Sequence, residues 1–230
     1  MTISWPRRAD GLPPGQRLMN DMPRFTDRPH RAPPEMPHDP HLDITKDGVI
    51  IGQLGASELE ALGPSDHRAD FHCVTTWSVT GLIWTGVPLH MALASVGISD
   101  APSDYLVARA GDDRRATFVW DDAIAQDVLL ATHLNGEPLG HRHGGPLRLV
   151  APRQYGYKSV KHLIGIDFLS NAPQPMWKEH LRGRVALEER HPKLPNWLIR
   201  MPYRLLIPPT AFIAERSLRR HHAQTKRLSR

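Results

Sequence analysis

Short β-rich runs separated by turn residues constrain this chain more than any other feature. Between residues 42 and 169, runs rich in β-branched and aromatic residues alternate with Gly, Asn and Asp positions, which is typical of strands joined by tight turns. Asp47-Gly48 and Asn135-Gly136 are dipeptides favoured in hairpin turns. Because the helix signals are few and short, the pattern predicts an α+β fold dominated by sheet.

Individual elements follow from the same local signals. The predicted strands lie in the segments DITKDGVIIG, RADFHCVTTWSV, DYLVARAG, RRATFVW and VLLATHLNGEPL. The segment HRHGGPLRLVAPRQYGYKSVKHLIGIDFL is predicted to form a strand, a loop and the last strand. A capping-box pattern at Ser57 predicts a short helix that ends at Gly63. A second helix is predicted over Pro88–Ser95, with proline at its first position, and a third over Asp121–Asp127.

Both ends of the chain differ in composition from its centre. Nine of the 22 prolines lie in the first forty residues, which predicts an extended N-terminal arm over residues 1–40, without helix or sheet. Residues 41–170 form the predicted central domain. Residues 171–230 form a predicted C-terminal extension that wraps this domain and ends in a basic tail.

The excess of positive over negative charge lies in that tail. Residues 215–230 hold six Lys or Arg and one acid, and their local net charge of +5 equals that of the whole chain. The rest of the chain is charge-balanced, which disfavours a nucleic-acid-binding surface. We expect the tail to be solvated and partly disordered.

The cysteine count and the hydropathy pattern predict the compartment. Cys73 is the one cysteine, so no disulfide can form within the chain, and a four-cysteine zinc or iron-sulfur site is excluded for this chain alone. No apolar run has the length of a signal sequence or approaches the roughly 20 residues of a membrane span. We therefore expect a cytoplasmic protein without a membrane span.

Cys73 is the first candidate for chemistry. It lies in FHCVTTWS, directly after a predicted strand. A lone cysteine is most often a small apolar filler of the core, but a thiolate can also act as a nucleophile or as a soft-metal ligand. His72 points to the opposite face of the strand, which disfavours a Cys-His nucleophile. A metal ligand needs no neighbouring base, because the metal keeps the sulfur deprotonated.

A second cluster of polar residues lies between the last two predicted strands. Its members, which are basic, aromatic or hydroxyl-bearing, are His143, Arg148, Arg153, Tyr155, Tyr157, Lys158, Ser159, Lys161 and His162. Glycines among them allow backbone amides to approach a ligand, so the segment suits an anionic cofactor or a nucleotide. An exposed basic strand end is an equally open interpretation. The spacing matches neither a Walker loop nor a dinucleotide fingerprint.

Taken in order, FHCVTTWS, WTGVPL, NGEPL and HGGPLRLVAPRQYGYKSVK closely resemble the molybdopterin-binding domain of the sulfite oxidase family. The resemblance covers roughly residues 42–169 and is greatest to the bacterial branch that includes the catalytic subunit of periplasmic methionine sulfoxide reductase. It implies a β-rich, mixed-sheet, sulfite-oxidase-like fold with short helices. It also implies one molybdenum-molybdopterin cofactor, oxygen-atom transfer to or from a small-molecule substrate, and a redox partner protein as electron donor or acceptor.

The resemblance also implies roles for particular residues. The implied cofactor contacts are Cys73, His143, Arg148, Ser159, Val160 and Lys161. Cys73 would ligate molybdenum through its sulfur, whereas His143 and Arg148 would contact the pterin and its phosphate. Tyr157 and Lys158 would line the site and meet the substrate as catalytic residues.

Three points stay open from the sequence. Animal and plant sulfite oxidases carry arginines where this chain has VTTWS after Cys73, so sulfite itself is a doubtful substrate. A non-catalytic relative could keep the fold as a binding or assembly module, with the C-terminal segment docking a partner. A third hypothesis is an enzyme that uses Cys73 as a nucleophile.

Overall fold

The structure is a computed structural model that describes residues 7–25, 29–37, 40–171, 173 and 180–228. Parts of the predicted arm, residues 1–6, 26–28 and 38–39, lie outside the described residues. The same holds for residues 172, 174–179 and 229–230 of the predicted C-terminal extension. The division into arm, domain and extension stays a prediction.

Eleven strands and four α-helices make up the described chain. The strands are β1 Arg17–Leu18, β2 His41–Lys46, β3 Val49–Gly55, β4 Ser65–His72, β5 Trp77–Pro88, β6 Tyr105–Ala110, β7 Arg115–Val119, β8 Leu129–Leu134, β9 Glu137–Pro138, β10 Arg148–Val150 and β11 Leu163–Leu169. The helices are α1 Ala56–Ala61, α2 Leu89–Ser95, α3 Trp120–Ala123 and α4 Asn196–Leu228, with a 3-10 turn at Val185–Leu187.

The strands form two mixed sheets. Sheet A has the order β1-β5-β8-β10, with β4 also paired to β5 and β9 to β8, whereas sheet B has the order β3-β2-β11-β6-β7. The β1/β5 and β2/β11 pairs are parallel, and the other pairs are antiparallel. The predicted α+β class, with mixed sheets and short helices in the central part of the chain, is confirmed.

Local turn and helix signals predicted most connections correctly. Asp47-Gly48 and Asn135-Gly136 have positive φ at both residues, as hairpin turns of this kind require. The capping box is shifted by two residues, because Glu58 accepts a hydrogen bond from the backbone N–H of Gly55 at 2.9 Å. Helix α3 ends at Ala123, so the predicted extent to residue 127 was too long.

Sheet A is buried on both of its faces. Along β8, Leu130 packs into a core shared with sheet B, whereas Leu129 and Ala131 pack into a second core on the other face. Such double burial accounts for the continuous apolar run of β8. The second core also contains Trp77 and Trp84, and fully burying a large apolar side chain contributes about 1.5–3 kcal/mol.

The N-terminal arm covers this second core, and the prediction that it contains no sheet was wrong. Met19 and Met22 are buried in the core, and β1 pairs with the start of β5. The backbone N–H of Met19 donates to the carbonyl of Ser78 at 2.8 Å. The non-proline positions of the arm keep their backbone donors, so it can extend a sheet despite its proline content.

The basic tail is helical up to Leu228, so the prediction of a partly disordered end was wrong there. Helix α4 contains Pro202, Pro208 and Pro209, which disguise its periodicity. Its buried residues are Ile207, Ala211, Ala214 and Leu218, a spacing that forms one helical stripe. Packing of this stripe offsets the backbone hydrogen bonds that proline removes. Within the described chain, no helix combines the length and apolar character needed to cross a lipid bilayer.

Gly86 lies where β5 approaches β8 most closely. A Cβ atom there would lie 2.7 Å from Cα of Ala131 and still closer to the carbonyl oxygen of Leu130. We expect Gly86→Ala to lower the free energy of unfolding by about 1–3 kcal/mol, because backbone atoms cannot move aside cheaply. Urea denaturation measures the effect. Gly140→Ala is the matched control, since a Cβ atom at that position would have no neighbour within 4 Å, and an equal loss in both variants would contradict the prediction.

Candidate active site

A cavity of about 420 Å³ lies beside Cys73. Its volume is within the range of roughly 300–1,000 Å³ that is usual for small-molecule and cofactor sites. Its walls come from the end of β4, the loop between β10 and β11, the turn between β6 and β7, the N-terminal arm and α4. Segments that are far apart in sequence therefore meet at one site.

A tight turn holds Cys73 in the cavity wall. Its backbone N–H donates to the carbonyl of Trp77 at 2.8 Å, and its carbonyl accepts from the N–H of Thr76 at 3.0 Å. Gln16 donates its Nε2 to the same carbonyl at 3.3 Å. Thr76 adopts φ 79°, which closes the turn, and the Sγ atom lies 3.2 Å from Oγ1 of Thr75. The sulfur is thus fixed by backbone contacts on both sides.

Residues from the N-terminal arm and from the C-terminal part of the chain hold this turn in place. Arg190 donates to the carbonyls of Val74 and Pro14, each at 3.2 Å. Arg204 of α4 donates its Nε to Oγ1 of Thr76 at 3.1 Å. The position of the cysteine therefore depends on residues before residue 20 and after residue 189.

Burial raises the pKa of the Cys73 thiol, an effect that the hydrogen bond to Thr75 and the charges of Arg190 and Lys161 oppose. A nucleophilic cysteine needs a lowered pKa, so the site disfavours the hypothesis of a cysteine nucleophile. A bound metal would itself remove the thiol proton.

Arg148 provides a buried cation in the wall of the same cavity. It begins β10, lines the cavity and is fully buried. Its guanidinium lies 5.2 Å from the ring centre of Phe71 and 5.0 Å from that of Trp84, and Nη1 donates to the carbonyl of His143 at 3.0 Å. Among the described residues, Nε and Nη2 have no hydrogen-bond partner. Burial lowers the pKa of Arg148 to about 9, and a bound anion would supply the missing partner.

His143 does not line the cavity. Its carbonyl orients Arg148, and its imidazole is neutral, because burial and the charges of Arg148, Lys161 and Arg142 lower the pKa of His143 to about 3. A contact of this side chain with a pterin stays a prediction.

The predicted cofactor loop, Ser159 to Lys161, does line the cavity. Oγ of Ser159 accepts a hydrogen bond from the N–H of Ala151 at 3.1 Å. The carbonyl of Val160 accepts from the N–H of Leu149 at 2.9 Å. These bonds tie the loop to β10 and hold its residues against the cavity.

Lys161 is a second cation of the cavity wall. Its ammonium makes two long contacts, to the carbonyl of Phe25 at 3.3 Å and to that of Arg142 at 3.4 Å. Burial lowers the pKa of Lys161 well below its usual value, and the charges of Arg148 and Arg24 add to the effect. A bound anion would stabilise the charged form of Lys161, as it would that of Arg148.

Gly156 lets the loop approach the cysteine. Its N–H donates to the carbonyl of His72 at 2.7 Å. A Cβ atom there would overlap the ring of Phe71, so only glycine allows this close approach.

Of the two residues predicted to be catalytic in addition to Cys73, one lines the cavity and the other does not. Tyr157 lines the cavity, and its hydroxyl donates to the carbonyl of His180 at 3.2 Å. Lys158 is absent from the described lining. Its buried ammonium donates to the carbonyls of Thr117 and Leu181, so we assign it a structural role.

The structure adds lining residues that the sequence did not single out. They are Arg24 and Arg31 of the arm, Arg114 of the β6–β7 turn, Arg115 at the start of β7, and Tyr203 of α4. Among the described lining residues, Asp112 is the one acid. The cavity is therefore strongly cationic, which suits a ligand with anionic groups. No local motif marks these residues, since they meet Cys73 only through the tertiary fold.

Comparison with known proteins identifies the family. Residues 32–177 match the oxidoreductase molybdopterin binding domain. The chain belongs to this family of molybdopterin-binding oxidoreductases. The predicted resemblance, the enzyme class and the molybdenum-pterin cofactor are thereby confirmed.

Relatives of this molybdopterin-binding domain include proteins of several bacteria. The uncharacterized oxidoreductase YuiH of Bacillus subtilis is 34% identical over 133 residues, which are 56% of this chain and 67% of that protein. The protein-methionine-sulfoxide reductase catalytic subunit MsrP of Xanthomonas campestris is 31% identical over 143 residues, which are 56% of this chain and 44% of MsrP. The chain thus spans about two thirds of the first relative and less than half of the second.

Solved structures that are similar to part of the chain include a sulfane dehydrogenase. The sulfane dehydrogenase SoxCD from Paracoccus pantotrophus aligns with 57% of this chain and 38% of its own chain, at a TM-score of 0.48 and 24% identity.

The site fits the cofactor of the molybdopterin-binding family. The buried sulfur of Cys73 is a soft ligand that suits molybdenum, and the orphaned nitrogens of Arg148 suit the anionic groups of a pterin. Lys161 and the Ser159 loop lie on the same cavity. These residues would hold the cofactor.

Arg148 tests this fit independently of turnover. We expect Arg148→Met to lower the pterin and molybdenum content about tenfold or more, because a charged hydrogen-bond partner is lost. The free energy of unfolding of the cofactor-free protein should fall by no more than about 1 kcal/mol, since the removed charge is buried without a counterion. Metal analysis and urea denaturation measure the two effects.

Arg109→Met is the matched control, because Arg109 is paired with Asp167 at 3.0 Å in sheet B, and Arg109 is not among the cavity-lining residues described. Its cofactor content should equal that of the wild type. Full cofactor content in Arg148→Met would contradict the assignment.

Replacing Lys158 should affect stability rather than cofactor content. Lys158→Met leaves two buried carbonyls without their donor, so we expect the free energy of unfolding to fall by about 2–4 kcal/mol. Turnover per bound molybdenum should stay at the wild-type value. A stable variant with lost turnover would instead support the prediction of a catalytic lysine.

Proposed function

We propose that this chain is an oxygen-atom-transfer enzyme that reduces a small, neutral sulfoxide. One observation carries the proposal: the Cys73 sulfur lies in the wall of a cationic cavity in which the buried Arg148 lacks an anionic partner among the described residues. That combination suits a molybdenum-pterin cofactor rather than a free nucleophile. The name of MsrP, a methionine-sulfoxide reductase subunit, supports the sulfoxide as substrate class.

The residues that directly follow the cysteine, together with two residues of α4, favour a neutral substrate. Val74 and Thr75, which follow Cys73 and line the cavity, are uncharged. Helix α4 contributes the uncharged residues Tyr203 and Leu206. Because these four residues provide no cation for an anionic substrate such as sulfite, this part of the wall suits a neutral sulfoxide.

Each group at the site has a distinct task in this proposal. When bound, the cofactor supplies two-electron oxygen-atom-transfer chemistry. Cys73 holds the metal, and Arg148 and Lys161 neutralise the pterin. Tyr157 is fixed by its bond to the carbonyl of His180, so its ring forms a rigid part of the wall that orients the substrate.

The overall reaction needs an external electron source. A sulfoxide accepts two electrons and two protons, its S–O bond breaks, and a thioether and water are formed. We propose a redox partner protein as the physiological donor. A reduced viologen dye can replace it in the test.

The decisive experiment compares the wild type with Cys73→Ser after expression in a molybdenum-replete host. We expect about one molybdenum per wild-type chain and viologen-dependent reduction of methionine sulfoxide. Cys73→Ser should lose turnover about a hundredfold or more, because the metal loses its sulfur ligand, and it should keep much of its pterin. Thr75→Val is the matched control, since it removes the Sγ contact but keeps the sulfur.

Other outcomes distinguish the alternatives. A wild-type protein without molybdenum would favour a binding or assembly module. A loaded enzyme that oxidises sulfite and leaves sulfoxides unchanged would contradict the proposed direction. Rapid alkylation of Cys73 by iodoacetamide in the loaded protein would contradict metal ligation. The cytoplasmic location stays a prediction, which cell fractionation checks.

A further inference from the structure

Helix α4 is apolar on two separate faces. The inward face buries Ile207, which belongs to the second core, and also Ala211, Ala214 and Leu218. The outward face carries large apolar side chains, which we call the outer stripe: Trp197, Met201, Leu205 and Phe212, exposed by 71%, 60%, 62% and 60%. Their spacing of four, four and seven residues places them on one side of a helix.

The outer stripe is unusual for a surface. Isolated exposed apolar residues are common, but a contiguous row of large ones marks an interaction site. At a rise of 1.5 Å per residue the stripe is about 22 Å long. No described residue covers it, since all four side chains are more than half exposed.

The same side of the helix becomes cationic towards its C-terminal end. Arg216 follows Phe212 by one helical turn, and Arg219 and Arg220 follow in the next turn; all three are exposed. Glu215 is the one acid of α4, and its carboxylate is paired with Arg142 at 3.0 Å. An occupant of this surface must therefore accept a row of apolar side chains beside a cluster of positive charge.

We propose that the outer stripe and its three arginines bind the surface of an anionic membrane, with α4 lying parallel to the bilayer. Trp197 and Phe212 suit the interface between acyl chains and headgroups, and the arginines that follow Phe212 suit acidic phospholipids. A bilayer offers both chemistries over a flat area. This binding does not require α4 to cross the bilayer.

Such binding would place the cavity close to the lipid surface. Leu206 belongs to the same helix, lines the cavity and is 52% exposed. Arg204, in contrast, points inward to Thr76 at the cysteine turn. The membrane-facing side of α4 is thus free to bind while its other side holds the active site.

The test is co-sedimentation of the purified, cofactor-loaded chain with vesicles. One set contains equal parts of phosphatidylcholine and phosphatidylglycerol, and the other contains phosphatidylcholine alone. We expect binding to the anionic set that weakens as salt is raised, because the electrostatic part is screened. Binding to the neutral set should be at least about tenfold weaker.

Two combined variants separate the apolar and the charged contributions. Trp197→Ser/Leu205→Ser/Phe212→Ser and Arg216→Gln/Arg219→Gln/Arg220→Gln should each weaken binding to the anionic vesicles about tenfold or more. Neither set lines the described cavity, so molybdenum content and turnover should stay unchanged. Thermal unfolding shows that each variant is folded.

Matched controls carry the same changes elsewhere. Val49→Ser/Ile50→Ser/Leu187→Ser removes side chains that are 66%, 57% and 61% exposed, and Arg7→Gln/Lys46→Gln/Arg182→Gln removes three exposed charges. Both should bind vesicles like the wild type.

Equal binding by the wild type and the helix variants, or no binding to anionic vesicles, would overturn the proposal. So would a dimer in light scattering that dissociates only in the apolar helix variant, because a second copy of the chain would then be the occupant.

Discussion

The two apolar faces of sheet A are the constraint on which the rest of the structure depends. Sheet B covers one face, so the alternation of Leu129, Leu130 and Ala131 leaves a second face that must be removed from water. The N-terminal arm and α4 supply this cover. Because they cross the sheet beside the end of β4, they also form walls of the cavity at Cys73. The segments that complete the second core therefore also form the active site.

The cavity concentrates charge that the protein alone does not neutralise. Burying a cation without a partner costs several kcal/mol, and Arg148 offsets part of this through the rings of Phe71 and Trp84. Lys161 has long contacts to carbonyl groups. An anionic cofactor would offset the desolvation cost of both cations, so its binding would stabilise the folded site. The same electrostatic argument applies to both cations, because they line the same cavity as Cys73.

Local chemistry made the hairpins, α2 and the order of the site motifs predictable from sequence. Gly-containing turns and strand periodicity act over a few residues, so they do not depend on distant contacts. The opposite directions of Tyr157 and Lys158 were not predictable, because they depend on where Thr117 and His180 lie in the fold. Arg24 and Tyr203 reach the cavity from segments without a motif. Helix α4 was missed in part because its prolines interrupt the expected pattern.

Helix α4 connects two surfaces that the sequence does not reveal as connected. A helix that is apolar on both sides is normally buried on both sides, yet the described chain covers only one. Arg204 on the covered side holds Thr76 in the turn that fixes Cys73, whereas Leu205, the next residue, belongs to the outer stripe. The residue that supports the turn at Cys73 and a residue of the outer stripe are therefore adjacent in the chain. The exposed apolar residues of β3 have no such connection, because β3 is the edge strand of sheet B.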